Sequence, residues 1–158
     1  SVGPKTVADY GFDDAPPLDL ILLPGGIGTV PELKNEALID FLRQRCPQSQ
    51  VTMSVCTGSA LLAKAGLLDG LAATSNKMFF DLARSQGDQV DWQESARWVD
   101  AGQYVTSSGV SAGTDIALAV AENNSVDNFF AVKQCPQSSA LAHGRNFDNG
   151  LRHVFIGR

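Results

Sequence analysis

Residues 50–70 read "QVTMSVCTGSALLAKAGLLDG". An apolar, β-branched run meets a cysteine, Cys56. Thr57, Gly58 and Ser59 follow, and then a pattern rich in Ala and Leu. The first part reads as a buried strand and the last as an α-helix that stops at Gly66, the residue type that most readily ends helices in a left-handed conformation. A strand that becomes a helix across so few residues must turn sharply. The residue at the bend is lifted out of the sheet at the start of the helix, which is the arrangement of a nucleophile elbow.

The segment at residues 18–26, "LDLILLPGG", is a second continuous apolar run, as expected of a parallel strand covered on both faces. After it, residues 29–47 predict one helix. Thr29 and Glu32 have capping-box spacing, Pro31 falls in the first turn, and Leu33, Ala37, Phe41 and Leu42 recur at helical intervals before Pro47. "LLDGLAATS" predicts a turn and a short strand. "NKMFFDLARSQG" predicts a helix with Met78, Phe79, Leu82 and Ala83 on one face. "ARWVDAGQYVTSSG" predicts a hairpin turning at residues 100–102, and "SAGTDIALAVAE" a small-residue helix. Residues 123–158 carry no sustained period and stay unassigned. Strands alternating with helices imply an α/β sheet with right-handed crossovers.

In such sheets, sites form at the carboxyl ends of strands. Three Gly/Ser-rich loops fall there: "PGGIG" with Gly25, Gly26 and Ile27, "CTGS" with Cys56, Thr57 and Gly58, and "SSGVSAG" with Ser108 and Gly109. At the elbow, the helix dipole and first-turn amides favour a thiolate over a thiol. The Thr57 amide would face an anion formed at the attacked atom, with Gly25 and Gly26 offering a second donor opposite. The alternative is a cysteine that only packs, because unpaired cysteines are among the most buried residues. Cys46, at a helix end, reads that way, and Cys135 lies in the unassigned tail. His143 and His153 share that tail, and nothing positions them. Asp115 reads as a helix-start charge, and Trp92, Trp98, Phe79 and Phe80 as core or interface residues. "GGIG" is neither a dinucleotide fingerprint nor a P-loop.

A length of 158 residues fits a single domain spanning the whole chain, 1–158. With 44% apolar and 18% charged residues, the composition supports a core rather than disorder. The net charge of −5, with no basic cluster, argues against nucleic acid or an anionic membrane as a partner. No apolar run approaches the ~20 residues of a membrane span, and "SVGPKTVADY" carries no signal-peptide core. The three cysteines are widely spaced with no CxxC pair, so neither a disulfide framework nor a zinc knuckle is expected, and a cytoplasmic location is.

In their order and spacing, "DLILLPGGIG", "SVCTGSALLAKAGLLDG", "AATSNK" and "ARWVDAGQYVTSSGVSAGTDIALAVAE" resemble the ThiJ/PfpI family of the class I glutamine amidotransferase-like superfamily, over residues 7–122. The "CTG" followed by "LLAKAGLLDG" and "SSGVSAGTDIAL" is similar to the isocyanide hydratase branch. The resemblance implies a flavodoxin-like, three-layer α/β sandwich with a mostly parallel central sheet, commonly a homodimer. It implies Cys56 as nucleophile beside Thr57, with Gly25, Gly26, Ile27, Gly58, Ser108 and Gly109 around a small-molecule substrate, and neither cofactor nor metal. The implied reaction adds water to an isocyanide to give an N-substituted formamide. Thr57 stands where the protease-like branch has His, which disfavours peptidase activity, and Asn76 and Lys77 stand where hydratase relatives carry a His-Trp pair.

Family members open with a strand whose acidic residue reaches the cysteine. The resemblance here begins after that strand and stops before the family's usual ending. The expectation is a sheet without that strand, with Asp13, Asp14 and Glu32 the nearest acids by motif. A truncated, inactive family member and a redox-responsive thiol protein are the alternatives left open. A ligand-sensing module serving a separate DNA-binding chain is a further one.

Overall fold

The structure is a computed structural model and describes residues 8–123, 129–132 and 154–156. Its central sheet is built from β1 (Leu20–Leu23), β2 (Val51–Val55), β5 (Trp98–Ala101), β6 (Tyr104–Ser107), β7 (Phe129–Val132) and β8 (Val154–Ile156). The spatial order is β5-β6-β2-β1-β7-β8. Every neighbouring pair is parallel except β5 on β6, the antiparallel hairpin. A small parallel pair, β3 (Ala72–Ala73) and β4 (Asp91–Trp92), forms a separate ribbon. Among the described residues, no helix is long and apolar enough to cross a membrane.

Strand alternation sends successive side chains to opposite faces, and both faces are covered. Ile21 and Leu23 of β1 pack against α2 (Glu36–Arg45), through Leu38, Ile39 and Leu42, and against α3 (Gly58–Lys64), through Leu61 and Leu62. On the other face, Leu20, Val51, Met53 and Val105 meet Ile116 and Val120 of α5 (Val110–Asn123). The result is a flavodoxin-like α/β sandwich with helices on both sides of a mostly parallel sheet, as the family resemblance implies.

Two local expectations change. The helix expected over 29–47 is two helices, α1 (Thr29–Glu32) and α2, because Asn35 caps the second through its side-chain oxygen, which accepts from Leu38 N. Thr29 does not act as the cap; its hydroxyl turns inward. The helix expected from Asn76 onward is a 3₁₀ turn, Lys77–Phe79, followed by α4 (Phe80–Arg84). Its buried face is Phe80 and Ala83, while Met78 and Phe79 point outward at 86% and 54% exposure. Asn76 starts the 3₁₀ turn by accepting from Met78 N, and that phase places Phe80 inward against Trp92, with ring centroids 5.8 Å apart.

The unassigned tail supplies β7 and β8. β7 pairs with β1 in register Leu20↔Phe129, so β1 has strands on both sides and is not a sheet edge. Cys135, His143 and Arg158 lie outside the described residues, as does His153.

Candidate active site

β1, β2 and β6 run parallel and end at one edge of the sheet, and their following loops meet there. Cys56 sits directly after β2 with φ +60, the single non-glycine residue of positive φ among the described residues. Such a left-handed conformation costs an L-residue about 1–2 kcal/mol. Hydrogen bonds hold it. Cys56 N–H donates to Ser107 O at 2.9 Å, tying the bend to β6. Its carbonyl accepts from two hydroxyls, Ser75 Oγ at 3.2 Å and Ser59 Oγ at 3.4 Å.

The neighbouring loop packs tightly because two glycines lack a Cβ. A Cβ on Gly25 would stand 2.4 Å from Thr57 N, and one on Gly58 would stand 2.5 Å from Leu23 O. The chain ends of β1 and β2 therefore cross closer than any side chain permits. Thr57 fastens the crossing: Gly26 N–H donates to Thr57 Oγ1 at 2.9 Å, and Thr29 Oγ1 lies 2.8 Å from the same oxygen. The Gly26 amide is thus engaged by the Thr57 hydroxyl.

The segment after β3 braces the same edge with three consecutive residues. Thr74 N–H donates to Thr106 Oγ1 at 2.8 Å, Ser75 Oγ to the elbow carbonyl, and Asn76 Nδ2 to Ser108 O at 3.3 Å. Lys77 Nζ holds the outside of this segment, donating to Thr74 Oγ1 and to Ala96 O, and lies 5.4 Å from the Phe80 ring. Partial desolvation lowers the Lys77 pKa, while the charge of Glu94 opposes that shift.

The candidate residues named from sequence fall into two groups. Cys56, Thr57, Gly25, Gly26, Gly58 and Ser108 are joined by the contacts above. Ile27 and Gly109 belong to the same loops but face open space: Ile27 is 76% exposed, and a Cβ on Gly109 would meet nothing within 4 Å. The acids proposed by motif are occupied or outward. Glu32 accepts from Asn35 Nδ2 at 2.7 Å, Asp14 accepts from Gly11 N, and Asp13 is exposed. Asp115 pairs with Arg97 at 2.8 Å on the surface. No group of three or more His, Cys, Asp or Glu side chains that could hold a metal ion occurs among the described residues.

The hydroxyls of Thr29, Ser59, Thr74 and Ser75 went unrecognised in the sequence. The pair Thr74-Ser75, at the end of the segment read as a turn and short strand, carried the signal for two of them, being polar directly after Leu71, Ala72 and Ala73. Thr29 was masked by its capping-box spacing.

The two described cysteines occupy opposite surroundings. Cys46 has no exposed surface, and burial pushes its thiol up to about 12, against a smaller lowering by its hydrogen bond with Thr52. Cys56 is half-buried at the open edge. Among the described residues, a thiol that can meet a solute is Cys56.

Residues 1–123 match the DJ-1/PfpI family. The chain belongs to that family. It is 40% identical over 111 residues to an isonitrile hydratase of Pseudomonas putida, a match covering 70% of this chain and 47% of the hydratase. It is 31% identical over 118 residues to the HTH-type transcriptional regulator GbdR of Pseudomonas aeruginosa, covering 75% of this chain and 32% of the regulator. A crystal structure of a ThiJ/PfpI family protein from Pseudomonas syringae superimposes with a TM-score of 0.61 at 31% identity, covering 71% of this chain and 46% of the other. This family member thus spans about half the length of the hydratase it matches, or less for the regulator.

Proposed function

We propose that this DJ-1/PfpI protein is a cysteine-dependent hydratase that converts an isonitrile and water to an N-substituted formamide. The observation that carries the reading is the left-handed bend at Cys56, which lifts a half-buried thiol to the edge where three strand-end loops converge. The 40% identity to an isonitrile hydratase supports the choice of reaction within the family.

The terminal isonitrile carbon is electrophilic towards a soft nucleophile. Cys56 Sγ attacks it and forms the C–S bond, while the thiol proton ends on that carbon, leaving a thioimidate. Water then adds to the C=N carbon and the nitrogen takes a proton. Collapse of the adduct breaks the C–S bond, releases the formamide and returns the thiol. Substrate and one water account for every atom, with no oxidation or reduction. In this reading Thr57 N–H, at the start of α3, is the backbone donor to charge that develops at the reacting centre, while the Gly26 amide, already bonded to Thr57 Oγ1, serves the loop crossing instead. A homodimer in the cytoplasm acting on a small molecule is the setting this reading proposes.

The test mixes the full chain with an alkyl isonitrile and follows the formamide. Turnover that disappears in Cys56→Ala upholds the reading. Formation at the uncatalysed rate, or turnover untouched by Cys56→Ala, refutes it. The match to a transcriptional regulator favours one second reading, a ligand-sensing module whose elbow binds without turnover. Saturable isonitrile binding without formamide would distinguish it.

A further inference from the structure

We propose that Ser75 is a positioning residue for Cys56, its hydroxyl setting the direction in which the thiol points. The proposal rests on Cys56 being the reactive group, as in the hydratase reading.

A left-handed residue inside an otherwise extended-to-helical path turns its carbonyl away from the direction the strand would give it. At Cys56 that carbonyl faces buried hydroxyls: Ser59 and Ser75 have no exposed surface, and both donate to it. A buried carbonyl without a donor is costly, so the donors favour the conformer that presents it to them. The two donors differ in kind. Ser59 belongs to α3 and moves with the elbow, only three residues along the chain. Ser75 comes from 19 residues away, at the shorter distance of 3.2 Å.

Its own position is independently fixed. Thr74 N–H is bonded to Thr106 of β6, and Asn76 Nδ2 is bonded to Ser108 O beyond β6. Ser75 is therefore the middle rung of a strut anchored to the sheet on either side, and it refers the elbow to a frame outside the elbow itself. With this donor removed, the carbonyl keeps one long bond from a residue that shifts with it. The backbone at Cys56 then relaxes towards negative φ, and the sulfur turns down from the open edge.

The experiment measures alkylation of Cys56 by iodoacetamide in the folded full chain, resolved by peptide mass spectrometry, across a pH series. Ser75→Ala is expected to slow the plateau rate by about fivefold, the factor expected for one neutral hydrogen bond. Ser75→Thr, which keeps the hydroxyl, is expected to restore it to within about twofold of wild type. A pH–rate profile for Ser75→Ala that superimposes on wild type, or a faster one, overturns the proposal. Should Ser75→Ala fail to fold, Ser75→Thr and Ser75→Val form an equal-shape pair. A slower Val variant then supports the proposal and equal rates overturn it. Because the readout contains no isonitrile, a chain without hydratase turnover still tests the role of Ser75, and an intact hydratase with a silent Ser75→Ala rejects the positioning role alone.

Discussion

Replacing Cys56 with glycine and, separately, with alanine measures the strain stored at the elbow. Both changes remove Sγ, so most contacts made by the sulfur cancel in the comparison. At an ordinary helix or strand position glycine is worse than alanine by about 0.5–1 kcal/mol, because it loses more backbone freedom on folding. At φ +60 alanine keeps the left-handed penalty of about 1–2 kcal/mol and glycine does not. Subtracting the first from the second leaves Cys56→Gly more stable than Cys56→Ala by about 0–1.5 kcal/mol, with a midpoint of about 0.75 kcal/mol. The sign is opposite to that at an ordinary site. Urea unfolding of the two full-length variants reads the difference directly, and each 1 kcal/mol shifts the melting temperature of a chain of this size by about 2–4 °C. A glycine variant less stable than the alanine variant, as at an ordinary position, would refute the strained elbow. It would also remove the geometric basis for an upraised thiol.

Two further outcomes follow from the same geometry and from the buried thiol. Gly58→Ala drives a Cβ to 2.5 Å from the backbone oxygen of Leu23, an atom with little room to move, and should cost about 1–3 kcal/mol. Gly109→Ala, with nothing within 4 Å, should change stability by less than about 0.5 kcal/mol; thermal melts in which both behave alike would contradict the crossing of the β1 and β2 ends. At alkaline pH, Cys46 stays protonated in the fold until about 12 although its ordinary value is 9.0, so in between the unfolded chain loses a proton that the folded chain keeps. Stability is therefore intact below about pH 9 and falls as pH rises toward 12, by up to about 1.4 kcal/mol per pH unit for this group. Tyr104, raised by burial and then by the nearby Cys46 charge from 10.0 to about 12, acts in the same direction above pH 10. Urea midpoints should drop across this range and drop less steeply in Cys46→Ala; a flat profile would contradict the buried thiol.

The local part of the fold was legible because it depends on periods that a short window contains. The apolar runs at β1 and β2, the halt of α3 at Gly66 and the hairpin of β5 and β6 each express a pattern within about ten residues. The elbow is of this kind too: a strand pattern meeting a helix pattern at Cys56 leaves space for little but a sharp bend. The phase of a short amphipathic segment is less secure. Met78, Phe79 and Phe80 are consecutive apolar residues, and the 3₁₀ turn begun by Asn76 together with docking against Trp92 sends Phe80 inward.

By itself the sequence determined an α/β sheet with Gly/Ser-rich loops at its strand ends, and the placement of Cys56 directly after β2. Tertiary structure alone decided what holds that cysteine. The bonds from Ser75 to the Cys56 carbonyl, from Thr29 to Thr57 and from Gly26 to Thr57 join residues 19, 28 and 31 positions apart. Likewise, β7 comes to lie beside β1 from more than a hundred positions along the chain, Leu20 against Phe129. A hydroxyl reads the same in sequence whether it caps its own helix, as Thr29 was expected to, or fastens a distant loop. The choice depends on which buried backbone groups come within reach once the sheet has formed, and that is a property of three-dimensional packing.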